Sequence, residues 1–101
     1  MSSGPDTVAG ILGARARYLR ADVAALSAAE LGTLCGLSDV GVLRMEQGSP
    51  PPSVALLQAA LDAAYEARVS GVRCALRGWT VEELRAEAQA EAARVPAGRA
   101  A

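Results

Sequence analysis

Residues 26–48, LSAAELGTLCGLSDVGVLRMEQG, constrain this chain more than any other stretch. Ser27 is followed three positions later by Glu30, the reciprocal pair that caps the start of a helix. Leu26 before the cap and Leu31 inside the first turns fit the accompanying hydrophobic staple. Leu31, Leu34 and Cys35 then fall on one helical face. Gly36 stops that helix, because glycine enters the left-handed conformation at little cost. Ser38 caps a second helix with Val42 and Met45 on its buried side, and Gly48 ends it.

Two short helices joined by a tight, glycine-containing turn are the sequence form of a helix-turn-helix. The stretch resembles the lambda-repressor-like (Xre/Cro-type) helix-turn-helix family. Leu26-Ser27, Glu30-Leu31-Gly32, Leu34, Cys35-Gly36-Leu37-Ser38, Val42 and Arg44-Met45-Glu46-Gln47-Gly48 carry the likeness. It continues through Pro51, Pro52 and Ser53 into Leu56-Leu57, where the family opens its next helix. The resemblance implies an all-α, lambda-repressor-like helix-turn-helix bundle of about five helices, here with an extra C-terminal helix. It also implies an ion pair between an arginine late in the first helix and the glutamate before the closing glycine. Arg20 and Glu46 occupy those places. The chain carries one extra residue between Leu19 and Leu26 relative to the common family spacing, so Arg17 is the alternative partner.

Composition agrees with an all-α class. Ala, Leu, Glu and Arg dominate, and all are good helix formers. With one Trp, two Tyr and no Phe, the core must be built from Leu, Val, Ala and Met. The 101 residues suit one domain. The expected organisation is a loose N-terminus over 1–6, a helix-turn-helix domain over 7–69, a helical extension over 70–95 and a loose tail over 96–101.

The net charge is −1, with every cation an arginine and no histidine. A near-neutral chain is not a non-specific nucleic-acid coat protein, so any DNA binding must come from local placement of arginines. Residues 27–48 hold Arg44 against Glu30, Asp39 and Glu46, which makes the helix-turn-helix segment the most acidic part of the chain. Cys35 and Cys74 sit in apolar helical patterns and read as small buried hydrophobes. The residues offer no metal site, since there is no His and no CxxC pair. No cofactor is implied: there is neither a GxxxxGK loop nor a GxGxxG after a strand. Without His or Lys, the usual nucleophilic triads and Schiff-base chemistry fail, which argues against an enzyme. Charges run throughout residues 1–25, unlike a signal peptide. No apolar run approaches the roughly 20 residues that span a bilayer. The expected location is the cytoplasm, in association with the nucleoid.

The remaining helices are read from their caps and periodicity. Asp6 or Thr7 caps a first helix with Val8, Ile11, Leu12, Leu19 and Val23 as apolar positions. Ser49-Pro50-Pro51-Pro52 is a stiff connector. Ser53 caps a helix whose Val54, Leu57, Leu61, Ala64 and Tyr65 face the core. Gly71 is a stop, followed by a short helical turn over 72–77. Thr80 and Glu83 form another capping box, with Trp79 and Leu84 as the staple. Adjacent Glu82 and Glu83 complement the helix dipole rather than forming a catalytic pair. The last helix is thinly apolar and serves either dimerisation or packing against the main body.

In helix-turn-helix proteins the N-terminal part of the second helix meets base edges in the major groove. By position this assigns Ser38, Asp39, Val40, Leu43 and Arg44 to DNA contact. Arg44 suits guanine or a phosphate, and Val40 a thymine methyl. The resemblance adds phosphate contacts at Gln47 and Ser49, and at Ser27 and Ala28 beside helix N-terminal amides. Two positions depart from the family: Ala28 and Asp39 stand where hydrogen-bond donors are common. Asp39 is either a dipole partner of its own helix or a cytosine reader.

These features point to a sequence-specific DNA-binding regulator, a small repressor or autoregulator working as a homodimer on a palindromic operator of double-stranded DNA. The alternative is a helix-turn-helix scaffold used as a protein-interaction module, its acidic second helix binding a basic protein partner. A third reading is an architectural subunit of a larger complex. The discriminating feature is whether Arg15, Arg17, Arg44 and any of Arg68, Arg73 or Arg77 share a face.

Overall fold

The computed structural model describes residues 7–71 and 80–94, with side-chain surroundings for 7–67 and 80–94. Expectations for 1–6, for the turn over 72–77, for Cys74, for the Trp79 staple and for 96–101 lie outside the described residues. Every regular element among the described residues is helical: α1 Val8–Arg17, a π-helical turn Tyr18–Val23, α2 Ala28–Cys35, α3 Asp39–Glu46, α4 Val54–Gly71 and α5 Val81–Ala93.

Local chemistry explains where these helices begin. The Thr7 hydroxyl accepts from the Gly10 amide at 3.0 Å, placing the cap of α1 at Thr7. Ser53 Oγ accepts from the Leu56 amide at 3.2 Å at the start of α4. Thr80 and Glu83 form a complete capping box at the start of α5. Each satisfies amides that a helix start otherwise leaves without partners.

The first helix does not run on as a simple α-helix. After Arg17 it widens into the π-helical turn, in which the Ala24 amide reaches the carbonyl of Leu19, five residues back, at 2.9 Å. The Leu26 amide then bonds the Arg20 carbonyl at 2.9 Å. A π turn takes up one more residue per hydrogen-bonded ring than an α turn. It therefore makes room for one more residue between Leu19 and Leu26 than an unbroken α-helix would hold. The segment ends at Ala25, a non-glycine residue with a φ of 56°.

The core is one cluster. Ile11, Leu12 and Ala16 of α1 and Leu19 of the π turn meet Leu31, Val42, the α4 residues Leu56, Leu57, Ala60, Leu61 and Ala64, and Val81, Leu84 and Ala88 of α5. The last helix thus packs back onto its own chain, chiefly against α1. Arg15 of α1 ties it down at the rim, with Nη1 donating to Glu87 Oε1 at 3.1 Å and Nη2 lying 3.8 Å from Glu91 Oε1.

Three core assignments from periodicity are corrected. Leu34 does not share the buried face of Leu31; it is 63% exposed. It lines an open groove whose α4 side is Ala59, Asp62, Ala63, Glu66 and Ala67, short or charged side chains that do not cover it. Tyr65 and Val54 are also about half exposed, because α4 meets its neighbours along Leu56, Leu57, Ala60, Leu61 and Ala64, to one side of both.

Candidate nucleic-acid interface

The two helices of the motif are held by short-range hydrogen bonds. Ser27 Oγ accepts from the Glu30 amide at 3.0 Å, and the Ser27 amide donates to Glu30 Oε1 at 2.8 Å. The box uses the Ser27 and Glu30 amides and sets the Glu30 carboxylate at the same helix end. The amides of Ala28 and Ala29 are those left to meet a phosphate there.

The turn is set by two glycines acting in different ways. Gly36 has φ 77° and ψ 28°, and its amide returns to the Gly32 carbonyl. The Leu37 amide bonds the same carbonyl at 2.8 Å. Gly32 itself supplies space, since a Cβ there would run into the carbonyl oxygen of Leu37. Ser38 then starts α3, its Oγ accepting from the Gly41 amide at 3.0 Å.

α3 has two distinct sides. Val42 and Glu46 are buried, while Gly41 and Met45 are half-buried. Asp39, Val40, Leu43, Arg44 and Gln47 are exposed and line the opposite side at helical spacing. Ser38 and Ser49 are exposed at its two ends, and the Ser49 amide bonds the Arg44 carbonyl at 3.1 Å. Arg44 has no ion-pair partner among the described residues. Asp39 Oδ1 accepts from the Val40 amide at 2.8 Å, which keeps the carboxylate at the helix N-terminus. Ser27 and Ala28 belong to the start of α2, with Ser27 exposed and Ala28 half-buried.

The far end of α3 is anchored by charge and by close backbone packing. Arg20 Nε and Nη2 donate to Glu46 Oε2 and Oε1, and Arg20 Nη1 donates to the Leu26 carbonyl at 2.8 Å. Both members of the pair are buried, and the Glu46 carboxylate raises the already high pKa of the guanidinium. Arg17 is exposed and takes no part. A Cβ at Gly13 would collide with the Glu46 carbonyl, and one at Gly48 would press on Gly10 and Ala9. Sequence reasoning passed over Gly10 and Gly13. Their signal was a glycine pair three residues apart inside a run of helix formers.

Cys35 is half-buried, with Sγ donating to the Leu31 carbonyl at 3.3 Å, and burial pushes its thiol pKa up. That is a packing cysteine rather than an activated nucleophile. Among the described residues no group of three or more metal-ligating side chains comes together. No helix there is long and apolar enough to cross a membrane.

This geometry, a capped short helix, a glycine turn and a second helix with one side pinned and one side open, defines a helix-turn-helix protein. The profile of the family described as "Helix-turn-helix domain" matches residues 11–73, more than half of the chain. The chain belongs to that family, the Xre/Cro-like helix-turn-helix domains, which points at the coarse level to a DNA-binding regulator. No curated protein and no solved structure matches it.

Proposed function

We propose that the chain is a sequence-specific DNA-binding transcriptional regulator, a small dimeric repressor or autoregulator that lays helix 38–47 in the major groove. The observation that carries this reading is the open side of α3. Asp39, Val40, Leu43, Arg44 and Gln47 point outward together, on a helix whose other side is pinned by Val42 and Glu46. A rigidly mounted helix with one free side is what groove insertion requires. Arg44 is the donor suited to a base edge or a phosphate. Gln47, Ser49 and the helix start at Ser27 and Ala28, where the Ala28 and Ala29 amides are open, supply backbone contacts. One motif makes few contacts, so two copies on a palindrome with half-sites about one helical turn apart is the working assembly. Residues 7–69 form the reading unit, and α5 braces it through α1. The site of action is the nucleoid in the cytoplasm.

One observation favours the alternative of a protein-interaction module. Arg15 is engaged with Glu87 and Glu91, so it adds nothing to the charge around Arg44, and Asp39 and Glu30 face any approaching phosphate. Arg68, Arg73 and Arg77 lie outside the described side chains.

The deciding experiment is a fluorescence-anisotropy titration against duplex DNA from upstream of the protein's own gene. Scrambled duplex serves as control, and both are run from low to moderate salt. Competed binding to one duplex is expected, with a shallow salt slope of about −0.9 per phosphate neutralised. Arg44→Ala should weaken it by about 1–3 kcal/mol. Absence of binding to every duplex at low salt would sink the DNA reading and leave the protein-partner reading.

A further inference from the structure

The open side of α3 is poor in donors and rich in exposed aliphatic surface. Val40 is 52% exposed and Leu43 is 44% exposed, and they lie three residues apart on the same stripe as Arg44. Single exposed aliphatics are ordinary. Two at the centre of a groove-facing stripe are not, because each base edge they cover must give up water.

The major groove limits what can meet them. Its edges consist of hydrogen-bond donors and acceptors, apart from the C5 methyl of thymine and the smaller C5–H of cytosine. An aliphatic side chain pressed on a guanine or adenine edge would leave buried acceptors without partners, at a cost per unsatisfied group. Pressed on a thymine methyl it removes apolar surface from water on both sides. Three helical residues advance about 4.5 Å along the axis. The rise per base pair is about 3.4 Å. With the helix lying along the groove, two side chains at this spacing serve neighbouring base pairs. Arg44 follows Leu43 directly and lies one turn beyond Val40 on the same exposed stripe.

We infer that Val40 and Leu43 read the methyl groups of thymines on two adjacent base pairs, next to a guanine read by Arg44. The assignment rests on the DNA-binding reading above and adds the base classes that the helix selects.

The test begins with selection from a random duplex library by the intact protein. The bound pool should be enriched in a half-site with two adjacent A·T pairs beside a G·C pair. Deoxyuridine is then substituted for each thymine in turn, which removes the methyl and leaves the pairing unchanged. Each substitution should weaken binding about fourfold, the equivalent of one buried methyl group. In Leu43→Ala, one of the two positions should become indifferent to deoxyuridine while the other keeps its fourfold effect; Val40→Ala should do the reverse. Both side chains are exposed, so circular dichroism should show both variants folded. An enriched site that binds equally well with deoxyuridine overturns the methyl reading and leaves DNA recognition standing. A pool with no enrichment overturns both, and capture of a basic peptide by the same face would assign it to a protein.

Discussion

Arg20 and Glu46 stand 26 positions apart and meet as a buried two-pronged pair that joins the π-helical turn to the last residue of α3. The pair fixes where the second helix of the motif ends, because Arg20 also holds the Leu26 carbonyl in front of α2. Removing one charge leaves the other buried without a partner, a loss of about 3–5 kcal/mol. Arg20→Met and Glu46→Leu should each cost that much in urea denaturation. The double variant should recover most of the loss, short of about 1 kcal/mol for the stranded Leu26 carbonyl. Additive losses would show that the two side chains act independently. Arg20→Lys should also be costly, since an ammonium cannot make the two parallel bonds.

The two glycines of the turn should respond to different substitutions. Gly36 has nothing within 4 Å of where a Cβ would stand, so only its left-handed backbone matters. Gly36→Asn should be nearly neutral and Gly36→Ala should cost about 1 kcal/mol. At Gly32 the obstacle is the carbonyl of Leu37, which any Cβ meets. Gly32→Ala should cost about 1–3 kcal/mol, and Gly32→Asn no less. Thermal melts of the four variants check the contrast.

Ala25 ends the π-helical segment at a φ of 56°, where an L side chain pays about 1–2 kcal/mol. Its side chain is exposed, so glycine loses no packing there. Ala25→Gly should raise stability by up to about 1 kcal/mol, the relief being partly offset by greater freedom of the unfolded chain. A lower melting temperature for this variant would mean that the left-handed conformation is not strained.

The C-terminal helix should behave as part of the core. Leu84 is 2% exposed, and Leu84→Ala should cost about 2–5 kcal/mol in chemical denaturation. Glu87→Gln removes an ion pair with half-exposed members and should cost no more than about 1 kcal/mol. Equal and small effects would mean that α5 docks only loosely on α1.

How much was legible in the residues differs from feature to feature. The caps at Ser27, Ser38, Ser53 and Thr80 and the stop at Gly36 were readable because each is made by groups within four residues of one another. The outward residues of α3 followed from the same local arithmetic. Leu34 could not be placed this way. Whether it is covered depends on residues of α4 that lie 25 or more positions later.

The sequence by itself determined the helix starts, the turn and the composition of the stripe on α3. Backbone groups and their nearest side chains decide these before any packing occurs. Only the tertiary structure decided that the first helix ends in a π turn, that Arg20 rather than Arg17 reaches Glu46, and that α1 accepts the end of α3 against Gly13. The placement of α5 on its own chain was decided there too. Each of these turns on which surfaces, remote in sequence, come close enough to exclude water, and no local pattern encodes that choice.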